Sequence, residues 1–195
     1  MMISETFNGD VYIADFTDYN NTPNLAPVEY KGVTVGVADN EILPSFVLRN
    51  PNSVEVVVVN NEKNSALFTR EDGTKVSNCE CIVHTNRKDN RKGWILFLEL
   101  KYCKGKKKNV YDRMLDGIYQ LKATCKYVMK EMKLYDDTRY KLYLVISIPG
   151  VEPLDPFDAS YFLQEDILAI KEETGALLKA VNEAEVLTPA LIRFG

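Results

Sequence analysis

The stretch that decides the reading runs Cys79-Glu80-Cys81-Ile82-Val83-His84-Thr85, then Asn86-Arg87-Lys88-Asp89-Asn90-Arg91-Lys92-Gly93, then Trp94-Ile95-Leu96-Phe97-Leu98-Glu99-Leu100-Lys101-Tyr102. Two arms rich in apolar, β-branched and aromatic residues flank a polar turn that ends in glycine, which is the pattern of a β-hairpin. A turn centred near residue 89 or 90 leaves Glu80 and Glu99 equidistant from it, so the two carboxylates face each other. Facing residues on paired strands have Cβ atoms about 4.5 to 5.5 Å apart. Strand alternation sends Glu99 and Lys101 to one face and Leu98, Leu100 and Tyr102 to the other. From Trp94 to Leu98 the second arm is apolar at every position, so both of its faces are expected to be covered, as in the middle of a layered α/β sheet.

Two like charges set opposite each other in an apolar hairpin need compensation. A hard divalent cation supplies it, since such ions take one or two carboxylates and fill the rest of their shell with water and phosphate oxygen. A Glu-x-Lys triplet at the end of a hydrophobic strand, with an acid on the preceding strand, resembles the PD-(D/E)xK nuclease superfamily, whose fold is restriction-endonuclease-like. Here the triplet is Glu99-Leu100-Lys101 and the upstream acid is Glu80, which follows Cys79 where that family usually carries Asp, often after Pro. The resemblance covers about residues 53 to 148. It implies an α/β core with a mixed central sheet, an antiparallel meander plus a parallel crossover strand, flanked by helices. It also implies Mg²⁺, or Mn²⁺ in its place, held by Glu80, Glu99 and the main-chain carbonyl of Leu100, with Lys101 beside it. Gln120, in the helix after the triplet, matches the polar residue that the family often carries near its site.

Outward from the hairpin, residues 1 to 50 read as an N-terminal extension, an edge hairpin or a lid, with strand-like runs at 11–16 and 33–37. Residues 51 to 195 read as one nuclease-like domain. In Ser53–Glu62 local propensity favours a strand, whereas the resembled fold opens its core with a helix, on which Glu55 or Glu62 would approach the ion. Ala66–Arg70 reads as a strand, and Asp72-Gly73 as a tight turn. Beyond the hairpin, apolar residues recur every three or four positions from Tyr111 through Met114, Leu115, Ile118, Leu121, Cys125 and Val128 to Met132, one face of a helix that Asn109 would cap. Tyr140–Ile148 reads as a buried strand stopped by Pro149-Gly150. Strand, helix and strand then form a parallel crossover. The acidic part from about 151 reads as a loop, a short helix over 161–173 and one or two strands in 176–194.

At 195 residues and 46% apolar, the chain suffices for a core that removes about 70% of the unfolded surface from water. No apolar run of membrane-spanning length and no signal pattern is present, so a soluble, cytoplasmic protein without a membrane is expected. Cys79, Cys81, His84 and Cys103 lack zinc-ribbon spacing; reduced packing cysteines are the expectation. The net charge of -4 hides an asymmetry: residues 87–141 hold sixteen Lys and Arg against seven Asp and Glu, and the remainder eight against twenty-one. Such a patch suits a phosphate backbone. The Lys-rich run Lys104, Lys106, Lys107 and Lys108 would grip it, unless that run is only a solvated loop. The expectation is a metal-dependent nuclease hydrolysing DNA phosphodiester bonds, with Glu80, Glu99, Lys101 and Gln120 at its site. The alternative is a catalytically degraded fold of the same type, serving as a binding subunit in a homodimer or larger complex.

Overall fold

The computed structural model describes residues 2–36, 44–85, 92–103, 107–151 and 164–195. In chain order the elements begin with β1 (Glu5–Phe7), β2 (Val11–Asp15), α1 (Phe16–Asn21), β3 (Val33–Gly36), β4 (Phe46–Arg49) and β5 (Val56–Asn60). The hairpin strands β6 (Cys81–Thr85) and β7 (Gly93–Leu100) follow, then α2 (Lys107–Lys126) and β8 (Tyr140–Ser147). The chain finishes with α3 (Gln164–Thr174), β9 (Leu177–Ala180), β10 (Glu183–Thr188) and β11 (Leu191–Phe194).

Two mixed sheets result. The first has the order β1-β5-β6-β7-β8-β9, with β5, β6 and β7 antiparallel and β8 and β9 parallel to the strand before them. The second has the order β11-β10-β4-β2-β3, with β10 parallel to β4. One face of the first sheet packs on α2 and α3 through Ile82, Ile95, Phe97, Leu121, Leu144 and Ile170. Its other face packs on the second sheet through Trp94, Leu96, Leu98, Val145, Phe46 and Ile13. Both faces of β7 are therefore covered, which is why every one of its residues is buried. Each of its large side chains contributes roughly 1.5–3 kcal/mol by leaving water.

Several expectations are met. The hairpin, the long helix, the parallel strand after it and the Asp72-Gly73 turn all form, and Gly73 supplies the left-handed φ of 83° that the turn needs. In 53–62 local propensity prevails over analogy: the segment is strand β5, not a helix. Glu62 accepts a bond from Val33 N (2.8 Å), tying β5 to β3.

Other expectations are corrected. Ser65–Phe68 is a turn of 3₁₀ helix rather than a strand, because Phe68 points into the core and Thr69 makes only an isolated bridge to Lys75. Asn109 lies inside α2 instead of capping it. Leu115 falls off the buried stripe and is exposed, while Val110 takes a core position. The C-terminal region holds three strands, β9 to β11. Residues 2–36 and 44–50, expected as an extension or lid, supply one strand to the first sheet and three to the second. The hairpin turn at 86–91, the acidic loop at 155–158, Lys104 and Lys106 lie outside the described residues. Lys107 and Lys108 open α2, and their side chains lie outside the description too. Among the described residues no helix is long and apolar enough to cross a membrane.

Candidate functional site

The β6–β7 ladder pairs Cys81 with Leu98, Ile82 with Phe97, Val83 with Leu96 and His84 with Ile95. Carried one residue further, that register sets Glu80 opposite Glu99. The main chain around Glu80 is clamped from both sides. Asn61 N donates to Glu80 O (2.8 Å), Asn61 Nδ2 donates to Cys79 O (2.8 Å), and Cys79 N donates to Thr124 Oγ1 of α2 (2.7 Å). A bend at Glu80 breaks the alternation just there. Cys79 accordingly joins the core under the helices and Cys81 the core between the sheets, so the two thiols do not share a face as regular alternation would have it. All four cysteines are free.

On the helix side of β7 the apolar sequence Ile95, Phe97 gives way to Glu99, which is fully buried, and then Lys101, which is 6% exposed. Helix α2 lies directly over this spot because position 117 is glycine: a Cβ there would collide with Ile146 Cδ1 and lie 3.1 Å from Glu99 Cγ. Lys101 N donates to Ser147 O of β8 (2.9 Å), and its ammonium pairs with Glu99 Oε1. No donor reaches either oxygen of Glu99, or Oε2 of Glu80, in hydrogen-bond geometry, and all three atoms are sealed from water.

Two further carboxylates arrive from the N-terminal region. Asp15 caps α1, accepting from Thr17 N (2.8 Å) and Asp18 N (3.1 Å), and lies within reach of Glu80. Asp18 accepts Tyr102 N (2.8 Å), one residue past Lys101, and pairs with Arg113 of α2. The Asp-x-x-Asp spacing signals a helix start. Nothing local in it signals proximity to a hairpin more than sixty residues away. Gln120 donates to Asn78 O (3.3 Å) and so tethers α2 to the chain two residues before Glu80. Leu100 keeps its side chain in the core between the sheets.

The electrostatics follow from burial. Desolvation, reinforced by the charge of Glu99, pushes the Glu80 carboxyl well above the ordinary carboxylate range. Desolvation also raises Glu99, although Glu80 and Lys101 hold it back. Burial raises Asp15 against the opposing bond from Asp18 N. Burial alone would drag the Lys101 ammonium down, but Glu99 and Glu80 outweigh it and hold it above its usual value. Glu80 and Glu99 lie within hydrogen-bonding reach of each other. With both ionised, Glu80 Oε2 and Glu99 Oε2 are buried without a donor and Lys101 alone balances the two charges; a proton on Glu80 or a cation between the two relieves this.

The donor set fits a hard divalent ion: two buried carboxylates that share a single ammonium, Lys101, which pairs with Glu99 Oε1. Among the described residues no three His, Cys, Asp or Glu side chains form a ready-made metal nest. The fit is therefore to an ion held by two carboxylates, with other oxygens completing its shell. Compared with models of protein families, with curated proteins and with solved structures, the chain matches none.

Proposed function

We propose that the protein is a divalent-metal-dependent nuclease that hydrolyses DNA phosphodiester bonds at the Glu80–Glu99–Lys101 cluster. One observation carries this reading: two facing carboxylates, with Glu80 Oε2 and Glu99 Oε2 buried and lacking a donor, stand beside a nearly buried lysine that pairs with Glu99 Oε1. The restriction-endonuclease-like version of the fold is supported by the succession of antiparallel meander β5-β6-β7, helix α2 and parallel strand β8. The basic surplus between 87 and 141, which includes Lys104, Lys106, Lys107 and Lys108, suits a DNA backbone.

Glu80 and Glu99, with the carbonyl of Leu100, would hold Mg²⁺ or Mn²⁺. When bound, such an ion supplies Lewis acidity toward the phosphate and acidifies water. For it to bind, Glu80 must give up its proton, so the chain itself makes binding stronger as pH rises. Lys101, sharing Glu99 with the ion, turns its ammonium toward the negative charge that develops on the phosphate oxygens. Helix α2, pressed onto Glu99 at Gly117, keeps bulk water off that carboxylate.

A second reading has its own observation. Because the Lys101–Glu99 pair and a proton on Glu80 neutralise the cluster without metal, the same fold is stable as a binding module in a larger assembly. Calorimetric titration of Mg²⁺ and Mn²⁺ into wild type and Glu99→Ala, beside plasmid and single-strand cleavage, separates the two. Metal heat and cleavage that both vanish in Glu99→Ala are expected. Lys101→Ala is expected to stay folded and cleave about 10²–10³-fold more slowly; undiminished cleavage would sink the mechanism. A wild type that neither binds metal nor cleaves leaves the binding module.

A further inference from the structure

Next to the carboxylate cluster is a cavity of about 300 Å³. It is lined by Pro23 and Asn24 after α1, Tyr102 and Cys103 after β7, and Asp112 and Arg113 on α2. It begins one residue along the chain from Lys101, at Tyr102, and the Asp18 that accepts Tyr102 N is the partner of Arg113. Arg113 spends only Nη2 on Asp18 among the described residues, and its Nε is buried with no acceptor. A guanidinium has five donors in a fixed fork. This one is held in place by Asp18 while a buried donor remains unsatisfied, which is the condition a phosphate oxygen would relieve. Clefts for small ligands start at about 300 Å³. The space admits one nucleotide, not a length of duplex.

We infer that this cavity holds the nucleoside 5′-monophosphate unit adjoining the scissile bond, with its phosphate on Arg113 and its base or sugar against Pro23 and the Tyr102–Cys103 edge. Asp112, which is exposed, offers an acceptor to a base amino group or sugar hydroxyl. The inference rests on the nuclease reading for the identity of the ligand. Its geometry stands apart from Glu80 and Glu99.

Cys103 gives a direct readout, because it lines the cavity and is half-buried while Cys79, Cys81 and Cys125 are buried. The 195-residue protein without metal is treated with N-ethylmaleimide at mildly alkaline pH, which offsets the burial that raises the Cys103 thiol. Intact mass follows the rate. Deoxyadenosine or thymidine 5′-monophosphate at ten times its Kd is expected to slow alkylation about tenfold. Deoxyadenosine alone and inorganic phosphate alone are each expected to protect far less. Arg113→Gln, checked for folding by its thermal melt, is expected to need roughly ten- to hundredfold more nucleotide for equal protection. Alkylation unaffected by millimolar nucleotide in wild type overturns the inference without any variant. Equal protection by nucleoside and nucleotide overturns the role of Arg113. Protection without metal-dependent cleavage would uphold the cavity and reject the nuclease, whereas cleavage with an unprotected Cys103 would do the reverse.

Discussion

On the face of β7 that meets the second sheet, Trp94, Leu96, Leu98 and Leu100 pack into an apolar core, in which the indole N–H of Trp94 is buried without an acceptor. On the face under α2, Ile95 and Phe97 are equally apolar, but the next two residues on that face are Glu99, as deeply placed as any leucine, and Lys101, nearly so. One strand thus carries a face that is almost wholly apolar and a face that ends in a buried ion pair beside a second carboxylate. Buried polar groups without partners subtract from stability. The sandwich face supplies what the helix face gives away, and the cluster persists because the rest of the layer is overdetermined.

Breaking the cohesive face should have the largest effect on stability. Leu98→Ala removes a fully buried side chain and is expected to lower unfolding free energy by about 2–5 kcal/mol in denaturant titration. Activity per folded molecule should persist. A loss under 1 kcal/mol would show that the sandwich face is not what holds β7. The boundary between helix and charge is tested by Gly117→Ala. In an ordinary helix interior that change gains about 1 kcal/mol. Here the added methyl meets Ile146 and Glu99, so a net loss of about 1–2 kcal/mol is expected. A gain would mean that α2 does not press on the carboxylate.

The smallest effect has the opposite sign. Glu80→Gln mimics the protonated acid and is expected to stabilise the metal-free protein at neutral pH by roughly 1 kcal/mol, raising Tm by about 2–4 °C. The pH dependence follows from the raised carboxyl. The folded state keeps a proton that the unfolded chain releases near pH 4.5, so wild-type stability falls as pH rises from about 4.5 through the folded value. The variant lacks that fall. Thermal melts of both proteins in chelator should therefore coincide in acid and diverge upward, and parallel curves would remove Glu80 as the strained group.

The contrast between the two faces was partly legible in the sequence. Alternation and a turn centre alone set Glu80 against Glu99 and separated Lys101 from Leu100, and the observed ladder has that register. The helix, read through Met132 and found as α2 to Lys126 with a π-helical turn over Tyr127–Glu131 after it, and the strand that follows were equally local patterns, so both were readable. The second sheet was not. Its strands come from 11–49 and from 183–194, and although β4 and β10 each alternate buried and less buried residues, nothing in either segment signals that they pair with each other. Asp15, Asp18 and Arg113 were missed for the same reason: each has an ordinary local role, and only the long-range packing brings them to the hairpin. The Ala66–Arg70 segment misled because β-branched and aromatic residues favour strands only where a partner strand is present.

The pairing of β4 with β10 also has a consequence in time. Arg49 and Glu183 are separated by 134 residues. At the usual pace of synthesis, β4 waits roughly ten seconds for the neighbour that completes its side of the sheet. Strand β2, which leads into Asp15 and α1, hangs on that same incomplete sheet. A nascent chain can close its hairpin and dock α2 well before this wait ends. The acidic corner around Asp15 and Asp18 therefore stands on an incomplete sheet until β10 has been made.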